Sequence, residues 1–187
     1  FNFFMADHHK FKEIIYEFRI NCGISGIVDL CHADLFKGAS RRLELLFENK
    51  SKNNMVFRDF AHAPSKVLAT VKALREQYSE RFLMIVFELH TYSSLSEVFI
   101  DHYKNCLDNC DKAVVFYDPH AVSIKKLDMM TDERIVEGFA RKDIKVVHSK
   151  AELLDVLNDV QKENIVGGFM SSGDFNGLTA DDLREIF

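Results

Sequence analysis

Two stretches decide how this chain folds: FKGASRRLE at residues 36–44 and RDFAHAPS at residues 58–65. The first contains a glycine and paired arginines and leads into an apolar run at 43–47, which predicts a strand. The polar residues at 48–54 predict a turn after that strand. Together these patterns predict two short strands joined by a tight connection.

The second stretch predicts a strand that ends at a ligand-binding edge. Residues 55–57 are apolar, and Pro64 suits the first turn of a helix because proline has no N–H to leave unpaired. Asp59 and His62 therefore lie where a strand gives way to a helix. In open α/β sheets, ligands bind at the carboxyl ends of the strands.

The remainder of the chain alternates strand and helix patterns. Apolar runs predict strands at 82–87, 113–117, 144–147 and 165–170, and helical spacing or capping residues predict helices at 64–74, 95–108, 131–140, after Ser149 and after Thr179. This alternation predicts an α/β fold, a Rossmann-like three-layer sandwich with a mostly parallel central sheet and helices on both faces. The sequence has no GxGxxG fingerprint, so no dinucleotide is predicted.

Composition narrows the class of protein. The 187 residues are 47% hydrophobic, enough for one core, and a net charge of −5 without a long basic run disfavours nucleic acid or an anionic membrane as partner. No apolar run reaches the roughly 18–20 residues of a membrane span. The chain begins at Phe1 without a signal-peptide pattern, so we expect a piece of a longer cytoplasmic protein with reduced cysteines.

Four motifs, in order, resemble those of the Mur ligases: GASRRLE at 38–44, DFAHAP at 59–64, FELHTYSS at 87–94 and MSSGDF at 170–175. Mur ligases are ATP-dependent peptidoglycan enzymes that join an amino acid or peptide to UDP-N-acetylmuramate or its peptide derivatives. The pattern is most similar to the UDP-N-acetylmuramate–L-alanine and murein-tripeptide recycling ligases.

The resemblance also implies a domain division. Residues 36–187 match the family's C-terminal domain. Residues 1–35 would then be a helical segment, either the end of the central ATP-binding domain or a linker. Within it, residues 10–20 have the spacing of an amphipathic helix.

Three residues are expected at the nucleotide by this resemblance. Arg42 would contact the nucleotide through its fixed fork of donors, Asp59 would accept hydrogen bonds from the ATP ribose hydroxyls, and His62 would orient the nucleotide or the substrate. From the residues alone, the simpler interpretations are a solvated charge at the start of a strand for Arg42 and a helix-capping acid for Asp59.

The resemblance places the amine substrate at two loops. In the first, relatives usually carry an arginine suited to a substrate carboxylate, and residues 87–94 contain none. The second follows the last strand and is, on sequence alone, equally a glycine-rich turn. The predicted substrate-binding residues are His90, Thr91, Tyr92, Ser93, Ser171, Ser172 and Phe175.

The family's chemistry needs parts that this sequence does not contain. It has no Gly-Lys-Thr or Gly-Lys-Ser loop, so ATP and Mg²⁺ would be held mainly by a central domain, and we assign no catalytic residue and expect the chain alone to be inactive. Expected partners are UDP-N-acetylmuramate, an amino acid or short peptide, and the N-terminal and central domains of the same polypeptide. The alternative is a non-catalytic α/β binding module related to these ligases.

The predicted 95–108 helix contains three residue types that can bind a metal ion. His102, Cys106 and Cys110 have helical spacing and could share one face. A structural zinc site needs a fourth ligand and more usual spacing. The sequence therefore predicts no metal site, and packing accounts for these side chains.

Overall fold

The structure is a computed structural model that describes residues 43–187. The described strands are β1 (Glu44–Asn49), β2 (Asn54–Asp59), β3 (Phe82–Leu89), β4 (Lys112–Tyr117), β5 (Lys145–Val147) and β6 (Ile165–Met170). The α-helices are α1 (Pro64–Gln77), α2 (Pro119–Ile124), α3 (Asp132–Phe139), α4 (Lys150–Asn158) and α5 (Ala180–Ile186). The helix predicted at 10–20, the predicted segment 1–35 and Arg42 lie outside the described residues.

The six strands form one sheet in the order β1-β2-β6-β3-β4-β5. All pairings from β2 to β5 in this order are parallel, and β1 pairs antiparallel with β2 at the edge of the sheet. The mostly parallel sheet predicted from the sequence is confirmed. The turn at 50–53 joins β1 to β2 as a hairpin, as expected from its polar residues.

Helices cover both faces of the sheet. Val71 of α1 and Phe139 of α3 pack in one core with Phe87, whereas Leu157 of α4 and Leu183 of α5 pack on the opposite side. The three-layer Rossmann-like arrangement is therefore confirmed. Within residues 43–187, no helix has the length and apolar character needed to cross a membrane.

The helix starts follow from local capping chemistry. Pro64 opens α1, and the hydroxyls of Thr131, Ser149 and Thr179 accept backbone N–H bonds at the starts of α3, α4 and α5. Short α2 begins after Asp118, whose carboxylate accepts the N–H of His120 at 2.8 Å. No pattern in the sequence indicated α2.

The helix predicted at 95–108 is wrong. The described segment consists of turns with a 3₁₀ helix at Ile100–Tyr103, after which Lys104 is extended and Asn105 has a left-handed φ of 62°. The Asn105 N–H donates to the carbonyl of Phe139 at the end of α3, 3.1 Å away. This long-range hydrogen bond takes the place of the one that a continuing helix would make at Asn105. Together with the burial of Ile100 and Tyr103, it outweighs the local helix propensity.

Close packing at β6 predicts a stability difference between two adjacent glycines. A Cβ on Gly168 would lie 2.7 Å from Ile85 Cδ1 and 2.9 Å from Leu74 Cδ1, whereas on Gly167 its nearest contact would be Phe169 at 3.3 Å. We expect Gly168→Ala to lower the free energy of unfolding by about 1–3 kcal/mol, because overpacking strains a closed core. Gly167→Ala, the matched control, should cost less. Urea denaturation of both variants tests this, and equal costs would contradict it.

Candidate functional site at the carboxyl edge of the sheet

Parallel pairing brings the predicted site loops together at one edge. In the sheet register Asp59 is opposite Met170, and Met170 is opposite Phe87, so the loops after β2, β6 and β3 emerge side by side. The N–H of Ser171 donates to the backbone carbonyl of Asp59 at 3.0 Å. Residues far apart in the sequence thus share one surface, where open α/β sheets bind ligands.

The Asp59 carboxylate holds the backbone on both sides of β2. It accepts the N–H of Leu43 and the N–H of Ala61, each at 2.6 Å. Asp59 therefore joins the start of β1 to the turn after β2. Contact between this carboxylate and a ribose stays a prediction.

His62 is held through its backbone as well as its ring. Its Nδ1 lies 2.9 Å from the carbonyl of Phe60, and the Tyr103 hydroxyl donates to the His62 carbonyl at 2.5 Å. Burial raises the pKa of Tyr103, which keeps that hydroxyl protonated as a donor. Phe60 is 40% exposed and its ring packs edge-on against the imidazole at 5.2 Å, so an apolar and a polar group lie together beside the turn.

Glu88 is a site residue that the sequence analysis missed. It is 3% exposed, and its Oε2 accepts the Ser171 hydroxyl and, at 3.1 Å, the N–H of Phe175. Its Oε1 lies 3.5 Å from Nδ1 of His90. Glu88 therefore links the loops after β3 and β6. A lone acid at the end of the apolar run 82–87 was the signal that could have identified it.

Gly173 lets the loop at 171–175 lie directly on this carboxylate. A Cβ at Gly173 would lie 2.7 Å from His90 Nδ1 and 2.8 Å from Glu88 Oε2. The Gly173 N–H donates to the Ser171 hydroxyl oxygen at 2.6 Å, which closes the loop on itself. The glycine in this motif is thus explained by close approach to Glu88.

The loop at 91–94 folds into a turn through its own hydroxyls. Thr91 Oγ1 accepts the N–H of Ser94 at 3.2 Å and lies 3.2 Å from the Ser93 hydroxyl. Tyr92 is 65% exposed, with the Lys125 ammonium 5.7 Å from its ring centre. Thr91 and Ser93 are therefore engaged within the loop, and Tyr92 is exposed, while the partly exposed His90 turns its Nδ1 toward Glu88.

The predicted residues after β6 differ in their surroundings. Ser171 is bound to Glu88 as described, and Ser172 Oγ is buried without a hydrogen-bond partner within the described range. Phe175 is 5% exposed and packs edge-on against Phe116 and Phe169 in the core. Its ring therefore anchors the loop, and substrate contact by these residues stays a prediction.

The cysteines considered for a metal are part of the packing. Cys106 donates to the carbonyl of Pro64 at 3.3 Å, and Cys110 donates to that of Leu107 at 3.1 Å. Across residues 43–187, no group of three or more histidine, cysteine or acidic side chains could hold a metal ion.

Both thiols should resist alkylation in the folded protein. Burial is the main cause that raises the pKa of Cys106 and of Cys110 to about 11, so roughly one thiol in a thousand is ionised at pH 8. We expect iodoacetamide to label both at least about 100-fold more slowly than in the urea-unfolded chain, because the thiolate is the nucleophile and both thiols are buried. Peptide-resolved mass spectrometry measures each rate. Equal rates in the two states would contradict the packing.

A cavity lies at the opposite edge of the sheet, where the strands begin. It has a volume of about 340 Å³ and is lined by Lys112, Lys142, Lys145 and neighbouring residues at the amino ends of β4 and β5. None of the motif residues contributes to it. The carboxyl edge therefore remains the candidate site.

The fold defines an α/β domain with a candidate site at one sheet edge, and comparison with known proteins identifies its family. Residues 41–172 match the family described as the Mur ligase, glutamate ligase domain. The chain therefore belongs to the Mur ligase family, as its motifs suggested.

Individual relatives agree with this assignment. The UDP-N-acetylmuramate–L-alanine ligases of Fusobacterium nucleatum and Aquifex aeolicus are 27% and 29% identical to this chain, covering 81% and 89% of it. These alignments cover 33% and 35% of the relatives, so the chain spans about a third of their length.

A solved structure supports the fold. The crystal structure of a murein peptide ligase from Psychrobacter arcticus superimposes with a TM-score of 0.66 at 20% identity, covering 90% of this chain and 34% of that one. The Rossmann-like fold is thus shared with a Mur ligase.

Proposed function

We propose that this chain is the C-terminal part of an ATP-dependent ligase that joins L-alanine or a murein peptide to UDP-N-acetylmuramate. The observation that carries the proposal is the meeting of the family's motif loops at one sheet edge, with Asp59, Ser171 and the 87–94 loop side by side. Family membership supports the reaction class. The domain division at residue 36 is part of the proposal.

In this function the domain binds and orients the nucleotide and the incoming amine substrate. Arg42, Asp59 and His62 contact the nucleotide, and the residues proposed for the incoming amine substrate are His90, Thr91, Tyr92, Ser93, Ser171, Ser172 and Phe175. Support comes from the hydrogen bonds that hold the backbone at Asp59 and His62, and from the Ser172 hydroxyl, which is buried without a partner within the described residues. A buried hydroxyl without a partner carries a desolvation cost, and a ligand that hydrogen-bonds to it removes that cost.

The remaining parts of the reaction are proposed to lie elsewhere in the polypeptide. The central domain would hold ATP and Mg²⁺, and the N-terminal domain would hold the UDP-sugar. Closure of this domain would bring the amine to an acyl phosphate and exclude water that would hydrolyse it. Such nucleotide-sugar chemistry implies a cytoplasmic location.

Phosphate release from ATP by the full-length protein tests this function. The assay contains UDP-N-acetylmuramate with either L-alanine or the murein tripeptide as amine donor. We expect phosphate release only when both UDP-N-acetylmuramate and an amine donor are present. A preference for L-alanine indicates peptidoglycan biosynthesis, and a preference for the tripeptide indicates recycling. A folded full-length protein that releases no phosphate with either donor would contradict the proposal and favour the non-catalytic binding module.

A further inference from the structure

One arginine side chain at the candidate site makes no hydrogen bond or ion pair among residues 43–187. Five of the six arginines in residues 43–187 donate side-chain hydrogen bonds: Arg75 to Asp111 (2.5 Å), Arg81 to Asn53 (2.5 Å), Arg134 to Asp101 (2.7 Å), Arg141 to Asp143 (2.8 Å) and Arg184 to Asp181 (2.7 Å). Within the same range the side chain of Arg58 has no hydrogen bond or ion pair. A guanidinium with five donors and no partner is available to a ligand.

Arg58 lies beside the loop that follows β6. Side chains alternate along a strand, so Arg58 shares a sheet face with Val56, which packs against the α4 and α5 side. There it lines a cleft of about 80 Å³ together with Ser171, Gly173, Asp174 and Leu183. This volume holds one small polar group of a ligand rather than a whole nucleotide.

The charges of this cleft match a zwitterion. Arg58 is positive on the β2 side, and exposed Asp174 is negative on the loop side, with no ion pair between them. A guanidinium fork binds a carboxylate through two parallel hydrogen bonds.

We propose that Arg58 binds the carboxylate of the incoming amine substrate in this cleft. This inference rests on the proposed function, because it concerns the same substrate. The ligand class is an α-amino acid or peptide with a free carboxylate. The Asp174 carboxylate accepts a hydrogen bond from the ligand's ammonium group before the reaction. Arg58, near the carboxyl end of β2, thus determines specificity for amine donors that carry a free carboxylate.

Binding and kinetics of the full-length protein test this role. L-alanine, the murein tripeptide and L-alaninamide, which lacks the carboxylate, are titrated calorimetrically into wild type, Arg58→Met, Arg58→Lys and Lys142→Met. We expect Arg58→Met to weaken binding of the carboxylate ligand at least about tenfold and Arg58→Lys less, because lysine keeps the charge but loses the fork. Lys142→Met, an exposed control at the opposite edge, leaves it unchanged.

Steady-state kinetics separate this inference from the proposed function. Arg58→Met should raise KM for the amine donor about tenfold, leave KM for ATP unchanged and abolish the preference for L-alanine over L-alaninamide. Active wild type with an unaltered KM in Arg58→Met overturns the role of Arg58 and leaves the function standing. Arg58-dependent binding without ATP turnover supports the role and overturns the function.

Two further outcomes complete the test. Wild type that binds none of the carboxylates overturns the inference. Because Arg58 has no partner to lose within the described residues, Arg58→Met should keep the wild-type melting temperature; if it does not fold, the comparison of Arg58→Lys with wild type decides.

Discussion

Gly173→Ala is expected to raise KM for the amine donor at least about tenfold, while KM for ATP stays near its wild-type value. The added Cβ would lie 2.8 Å from Glu88 Oε2 and 3.0 Å from Oε1, and that carboxylate is held by Ser171 and Phe175. Relieving the contact moves the loop off Glu88, at about 1–3 kcal/mol for overpacking. Steady-state kinetics of the full-length enzyme with varied amine donor measure the effect.

A second glycine in the same region is the matched control. An alanine Cβ at Gly177 would meet no atom within 4 Å, although its φ of +78° disfavours alanine. Gly177→Ala therefore costs about 1–2 kcal/mol of stability through backbone strain but leaves the Glu88 contacts intact. Equal rises in KM for both variants would show that loop stability, rather than contact with Glu88, sets donor binding.

Asn54→Ala is expected to lower the free energy of unfolding by about 3 kcal/mol and the melting temperature by roughly 6–12 °C. Asn54 is fully buried, and its Nδ2 donates to the carbonyls of Lys162 and Phe187, each at 2.8 Å. Its Oδ1 accepts the N–H of Ile165 at 3.0 Å. Alanine leaves the buried Ile165 N–H without this acceptor, and only the Phe187 carbonyl keeps a donor, Asn49 Nδ2 at 3.1 Å.

The same side chain at an exposed position controls for the loss of an amide. Asn158 is exposed at the end of α4, and Asn158→Ala should change the free energy of unfolding by no more than about 0.5 kcal/mol. Chemical denaturation of both variants gives the two values. A loss below about 1 kcal/mol for Asn54→Ala would show that water replaces its bonds.

Strand and helix order could be predicted because the local patterns agree with the fold. The apolar run at 82–87 became the buried centre of β3, and Thr131 and Thr179 cap helices as their positions suggested. The segment at 95–108 could not be predicted, because Asn105 bonds to Phe139, a residue distant in the sequence. The strand order β2-β6-β3 was equally unreadable from periodicity, which carries no information on neighbours.

The alternating α/β elements, the carboxyl edge at Asp59 and the family could be predicted from the sequence, because caps, apolar runs and motifs are local signals. The structure was needed to show which loops meet at that edge, because β6 lies between β2 and β3 and places Ser171 against Glu88. It also showed that Glu88 is buried and that Arg58 has no partner within residues 43–187. Burial and pairing are properties of long-range packing, and a chain read one residue at a time does not contain them.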